Sequence, residues 1–292
     1  MQSQPQLQTQ VSQATAILAA GTGRRKQLHR SRMGAHAALP SCLAALTRDA
    51  ARVVGIADPL DAVHLHARLF TATRMREALG QVLADRAALD RIGARSYVHD
   101  NGFAKLVLVE RGFKLRLHYR PAAGVAAGAE NIHDHRWNFL SNVLFGELAV
   151  QKFQRCAESA PGAMHVLDCQ YRARQVHGQS YGVIPQGLAH VRHVSTDILA
   201  AHSTYFLDGA VMHRLVARPG SSYATLVLTH PPFATTTRLM PTGDYAREVA
   251  VTPMSPSQLA STLEMIIQAL ETSAKRPRPE AHKLSDLAAL AG

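Results

Sequence analysis

The chain has 292 residues, 47% of them hydrophobic and 18% charged. That apolar content excludes a wholly disordered chain, and the length sets a prior of one or two domains. Lys and Arg number 32 against 21 Asp and Glu, a formal net charge of +11 that points to a polyanion or an anionic substrate. Three cysteines (Cys42, Cys156 and Cys169) with no CxxC pair exclude a disulfide framework and predict a reducing compartment. Sixteen histidines are a high count, and histidine is both the commonest metal ligand and the usual general base.

Residues 1–36 read as a flexible basic tail, with Arg24-Arg25-Lys26, Arg30 and Arg32 supplying much of the charge. The tail lacks interleaved aromatics, so a nucleic-acid partner is not expected. It also lacks the features of a targeting segment. No stretch approaches the roughly 18–20 apolar residues that span a bilayer, so no membrane partner and a cytoplasmic location are expected.

Residues 37–95 form a helical segment. Apolar residues recur at helical spacing over Ala37 to Val54 and Asp61 to Ile92, with a boundary at Asp58-Pro59. His64 and His66 lie two apart on a helix, do not face each other, and read as surface residues.

From residue 96 the pattern changes to short strands broken by turns: 106–109, 115–119, 143–145, 148–150, 181–184, 204–207 and 224–228. Such spacing predicts an antiparallel sandwich or barrel over residues 96–232. Residues 233–292 make a C-terminal loop and helices. One helix starts at Ser255-Pro256 and carries the stripe Leu259, Leu263, Ile266, Ile267 and Leu270. A charged loop from Lys275 to Lys283 and a last short helix follow.

The stretch with chemistry is Glu130-Asn131-Ile132-His133-Asp134-His135-Arg136-Trp137-Asn138-Phe139. On a strand, residues i and i+2 share a face. His133 and His135 therefore offer two imidazoles on one face, two legs of a metal site, with Trp137 next in line. Trp137 suits barrel packing or a substrate platform. Gly146 permits a turn into the next strand.

This HxH pair, the glycine after it and a later histidine on a second hairpin resemble the cupin superfamily over residues 96–232. The resemblance implies a single cupin barrel (a double-stranded β-helix, or jelly roll) that is mainly β, with helical N- and C-terminal extensions. Cupins add a Glu three or four residues after HxH; here those places hold Phe139 and Leu140. The resemblance then implies an all-histidine site, as in cysteine dioxygenase-like enzymes and the cupin iron site of enzymes that build N-nitroso groups. The third ligand has two candidates. Pro185-Gln186-Gly187-Leu188-Ala189-His190 matches the PxGxxH letters of the second cupin motif. His213, on the hairpin that precedes the Thr225-Leu226-Val227-Leu228 strand, suits the topology of a compact barrel better and is favoured.

The strand Lys114 to Arg120 alternates: Leu115, Leu117 and Tyr119 share one face, Arg116, His118 and Arg120 the other. The basic face is expected to meet solvent. If it lines the barrel instead, an arginine would bind a substrate carboxylate with two parallel hydrogen bonds. Cysteine dioxygenase-like enzymes place such an arginine before HxH, which makes Arg116 and Arg120 the candidates by position. Arg136 and Arg214, beside the histidines, are expected to point away from them.

The reading that follows is a mononuclear metal cupin. The metal is Fe(II) by analogy, with Zn, Ni or Cu compatible with three imidazoles. The activity is a non-heme oxygenase or dioxygenase using O2 on a small amino-acid-like metabolite. The alternatives are an isomerase, lyase or hydrolase on zinc or another metal, or a non-enzymatic ligand-binding cupin. A homodimer stays open.

Overall fold

The computed structural model describes residues 41–99, 101–122, 130–175, 179–218, 220–242, 245–246 and 248–275. The basic tail, residues 37–40 of the first expected helix, and the charged loop and final helix expected after Lys275 lie outside these.

Four helices open the described chain: α1 (Ser41–Val54), α2 (Pro59–Leu69), α3 (Ala72–Leu83) and α4 (Arg86–Gly93). The continuous stripe expected from Asp61 to Ile92 is broken into three helices by side-chain caps. The Asp58 carboxylate accepts from the N–H groups of Leu60 and Asp61, with Pro59 opening α2. Thr71 Oγ1 caps α3 through Arg74 N–H, and Asp85 caps α4 through Ala88 N–H. Each cap takes up a donor that the first helical turn leaves unpaired. A fifth helix, α5 (Pro256–Lys275), buries Leu259, Leu263, Ile266 and Leu270, the predicted stripe, with Ile267 packed at its edge. Among the described residues no helix is long and apolar enough to cross a membrane.

Between α4 and α5 the described residues form thirteen strands in two antiparallel sheets. The first contains β1 (Tyr97–Val98), β2 (Ala104–Glu110), β3 (Lys114–Arg120), β5 (Phe139–Phe145), β9 (Thr204–Leu207) and β11 (Tyr223–Thr229), in the order β1-β2-β3-β11-β5-β9. The second contains β4 (Ile132–His133), β6 (Glu147–Arg155), β7 (Met164–Gln175), β8 (Gln179–Ala200), β10 (Met212–Ala217), β12 (Thr237–Met240) and β13 (Glu248–Val251), in the order β13-β8-β6-β10-β4-β12-β7. Within them lie two four-stranded layers, β3-β11-β5-β9 and β4-β10-β6-β8. This pairing of eight strands, with consecutive strands sent to opposite sheets except for the adjacent pair β6 and β8, is the jelly roll, the architecture of cupins among others. The helices at both ends of the chain match the expected extensions. Two strands of the second sheet, β12 and β13, come after residue 232.

Two features locate the barrel's interior. Gly146 joins β5 to β6 with φ of 79°, a left-handed conformation; a Cβ there would meet the Ser222 carbonyl oxygen at 2.3 Å. Only glycine fits that corner. The first sheet is then covered on both faces. Leu106, Leu108, Leu115, Leu117, Leu140, Leu226 and Leu228 join the helices in one apolar cluster. The alternate residues Lys105, Val107, Arg116, His118, Ser141 and Thr225 face a cavity between the sheets.

Candidate metal centre

His133 on β4 and His213 on β10 are direct cross-strand partners. Opposed residues of an antiparallel pair project from the same face, so the two rings are brought side by side, with centroids 4.6 Å apart. His135 lies just beyond the end of β4, in a loop rather than on the strand. That loop is pinned from two sides. The His135 N–H donates to the Gly209 carbonyl (2.7 Å), and Gly209 N–H donates to Asn138 Oδ1 (2.9 Å). Asp134 N–H donates to the Arg238 carbonyl (3.2 Å), while Arg238 N–H donates to Asp134 Oδ1 (2.6 Å). Gly209 approaches so closely that a Cβ on it would meet the Trp137 carbonyl oxygen at 2.4 Å. The His135 ring ends 4.9 Å from His133 and 5.0 Å from His213, centroid to centroid.

The three histidines fit a metal ion. One ring nitrogen from each lies within 4.8 Å of the others, and no carboxylate joins them among the described residues. His133 Nδ1 meets the Asn131 carbonyl at 2.8 Å and His213 Nδ1 the Val211 carbonyl at 3.0 Å. A carbonyl accepts, so Nδ1 carries the proton in both rings and Nε2 keeps its lone pair for a metal. Burial holds His213 neutral, pulling its pKa down to about 3, with the neighbouring His133 acting in the same direction. Burial likewise lowers His135 well below the usual imidazole value, reinforced by His133 and His213. Neutral imidazole is the ligating form. Phe139 packs edge-on against His135, with centroids 5.1 Å apart, and also borders the cavity; Leu140 turns away into the helix-side cluster.

The cavity has a volume of about 240 Å³. Arg116 lines it and is 7% exposed, so the basic face of β3 looks inward and does not meet solvent as expected. The reason is the helix layer, which claims the Leu115–Leu117–Tyr119 face. Arg116 stands over Trp137, its guanidinium carbon 4.9 Å from the ring centroid, and Arg136 covers the same indole at 4.8 Å. Arg136 also lines the cavity, contrary to the expectation that it points away; it belongs to the loop after β4, where strand alternation no longer applies. Arg214 does point away, donating from Nε to Gln151 Oε1 at 2.7 Å. Trp137 stacks beside His135 at 5.9 Å. Arg120 is buried but does not line the cavity. It bonds the Tyr223 hydroxyl and lies in the field of Glu130.

His190 is not with the other three. Its ring meets His165 on the β7–β8 hairpin, because the 185–190 letters fall inside the long strand β8. His66, expected at the surface, is fully buried in the helix layer against Phe70, and neither ring nitrogen has a hydrogen-bond partner among the described residues.

Sequence reasoning passed over Glu130. It is buried and lines the cavity. Burial pushes its carboxyl up to about 7, against hydrogen bonds from the Leu215 N–H and Asn101 and the charges of Lys105 and Arg120. Its only signal was an acid three residues before His133. Tyr205, raised to about 12 by burial, also lines the cavity, and no sequence pattern marked it.

No protein-family profile matches the chain, and no curated protein matches it in sequence. Several solved structures are similar in part. A hydroquinone 1,2-dioxygenase in complex with Cd2+ and 4-hydroxybenzonitrile is 14% identical, with 42% of this chain and 61% of that chain covered, at a TM-score of 0.26. The hydroquinone 1,2-dioxygenase of Sphingomonas sp. TTNP3 is 10% identical, with 42% and 62% covered, at 0.27. An RmlC-like cupin from Shewanella frigidimarina is 13% identical, with 47% and 84% covered, at 0.28. The chain thus spans a little over three fifths of the two dioxygenase chains. What the chain's own topology and residues define is a jelly-roll barrel with three convergent histidines in its cavity.

Proposed function

We propose that the chain is a mononuclear non-heme iron(II) cupin oxygenase acting on a small anionic metabolite. The observation that carries the reading is the convergence of His133, His135 and His213 on one wall of a cavity that also holds Arg116, with Nδ1 of His133 and His213 anchored on backbone carbonyls and His135 and His213 kept neutral by burial. Iron(II) held by the three imidazoles would supply the redox capacity that O2 chemistry needs. The chain's own residues do the rest. Arg116, pressed against Trp137, presents a planar fork suited to a carboxylate. Phe139, Val227 and Trp137 supply apolar wall that would hold a substrate next to the histidines. An amino-acid-like carboxylate fits both the fork and the volume.

The test is metal content after anaerobic purification, beside oxygen consumption with small amino acids and related carboxylates. About one iron per chain, lost in His133→Ala and His213→Ala, with substrate-dependent oxygen uptake, is the expected result. A tightly held zinc that His133→Ala and His213→Ala remove, without oxygen uptake, overturns the oxygenase reading.

One observation favours a second reading. Glu130 titrates near neutrality inside the cavity, where a general acid–base is most effective. With zinc, nickel or copper at the same histidines, that carboxyl would serve an isomerase, lyase or hydrolase. Glu130→Gln separates the two: oxygen uptake survives it in the first reading, and turnover is abolished in the second.

A further inference from the structure

A second set of metal-ligating groups lies outside the cavity, on the β7–β8 hairpin and the loop that leads into it. His165 and His190 are direct cross-strand partners. Like His133 and His213, they therefore project from one face of the second sheet. Their Nε2 atoms are 2.9 Å apart, with the rings at 85°. Glu158 reaches the same point from the loop after β6, its Oε1 lying 3.5 Å from His165 Nε2 and 4.0 Å from His190 Nε2. None of the three lines the cavity.

The loop's position is built, not accidental. Cys156 N–H donates to the His190 carbonyl at 3.1 Å, fixing the start of the loop beside β8. Two successive turns, Ala160 N–H to the Ala157 carbonyl and Ala163 N–H to the Ala160 carbonyl, each 3.0 Å, then fold it back to β7. An Arg155–Asp168 ion pair ties the end of β6 to β7. Glu158 is thereby carried over the two imidazoles.

We infer that Glu158, His165 and His190 form a second divalent-metal site of the zinc class, clipping the 156–163 loop to the hairpin. Two facing imidazole nitrogens cannot both carry protons at 2.9 Å, whereas a metal ion accepts both lone pairs. Zinc bonds nitrogen and carboxylate oxygen at about 2.0–2.2 Å, which puts the donors of a tetrahedral site about 3.3 Å apart. The three observed separations bracket that spacing. Two His and one carboxylate leave a position for water, and the side chains of Glu158 and His165 are largely exposed, so the ion exchanges with solvent. The role is structural. β7 also carries Tyr171, which lines the cavity, and pairs with β12, the neighbour of the strand bearing His133. An ion here stiffens one wall of the barrel without touching its chemistry.

The test is zinc binding by full-length, metal-free protein in equilibrium dialysis, with far-UV circular dichroism to confirm folding. The His133→Ala/His213→Ala chain, whose cavity site is dismantled, is expected to bind one zinc, and adding His190→Ala is expected to abolish it. In the otherwise unaltered chain, His190→Ala and His165→Ala should each lower the stoichiometry by one, with Glu158→Gln weakening the site several-fold. Zinc stoichiometry unchanged by His190→Ala, or no zinc bound by the cavity-dismantled chain, overturns the inference and leaves a hydrogen-bonded histidine pair. Neither outcome depends on what the cavity site does.

Discussion

The two faces of the first sheet are made by the same strands and divide the work. On β3, Leu115, Leu117 and Tyr119 pack against helices; Arg116 and His118, between them, line the cavity. On β11, Leu226 and Leu228 join the helices while Thr225 and Val227 face inward. Both faces are covered, so exposure does not tell them apart. What differs is the chemistry: one face is apolar and supplies stability, whereas the other mixes charge, imidazole and hydroxyl and supplies a site. A strand's two-residue period lets one backbone serve both ends without compromise.

The largest effect on stability belongs to the helix-facing side. Leu117→Ala should lower unfolding free energy by about 2–5 kcal/mol in urea titration, because a fully buried leucine leaves a cavity that closely packed neighbours fill only in part. Metal bound per folded chain should not change. Equal loss of metal and stability would break the division of labour.

The helix layer also carries an acid sensitivity of its own. His66 has a pKa of about 3 when folded, lowered by burial, against about 6.5 unfolded. Between those values the unfolded chain binds a proton that the folded chain refuses, so stability falls as pH falls. The contribution is fully present above pH 6.5 and is lost at about 1.4 kcal/mol per pH unit below it. His66→Leu should flatten the stability–pH curve by about one proton between pH 6 and 4. Parallel curves for the two proteins would contradict the buried, neutral assignment.

On the cavity side, substitutions should cost function more than stability. Gly209→Ala forces a Cβ onto the Trp137 carbonyl and displaces the loop that holds His135. Metal affinity should fall about tenfold or more, as for other groups that orient ligands. Calorimetric titration with zinc measures this. The smallest stability effect is expected for Arg116→Met, within about 1–2 kcal/mol from the lost stacking on Trp137. Small carboxylates should then no longer bind in the cavity. Unchanged binding would remove Arg116 from the substrate reading.

Much of this was legible in the sequence. The HxH pair named two of the three convergent histidines, and chain topology preferred His213 over a better letter match at His190. Strand alternation divided β3 correctly into two faces. It did not tell which face was covered by what, because the covering of this sheet depends on helices more than 20 residues away in the chain. The β7–β8 hairpin was mostly missed: among its described side chains, buried Val166, Cys169, Val183, Ala189 and Val191 are mixed with exposed Leu188 and polar neighbours, so no clean alternation marks it. Glu130 escaped because a lone acid carries no pattern; only the closed barrel makes it unusual. His66 looked like half of a surface pair until the first sheet was placed over it.

Trp137 is the chain's only tryptophan and stacks beside His135, so its emission reports the cavity directly. The most direct test is a titration of metal-free protein with cobalt(II), an ion that takes nitrogen ligands and quenches nearby indoles. Saturable quenching in the wild type and in His190→Ala, complete at one equivalent in the latter, and absent in His213→Ala, is the predicted result. Quenching that persists in His213→Ala, or that never appears in the wild type, would contradict a metal centre built from His133, His135 and His213.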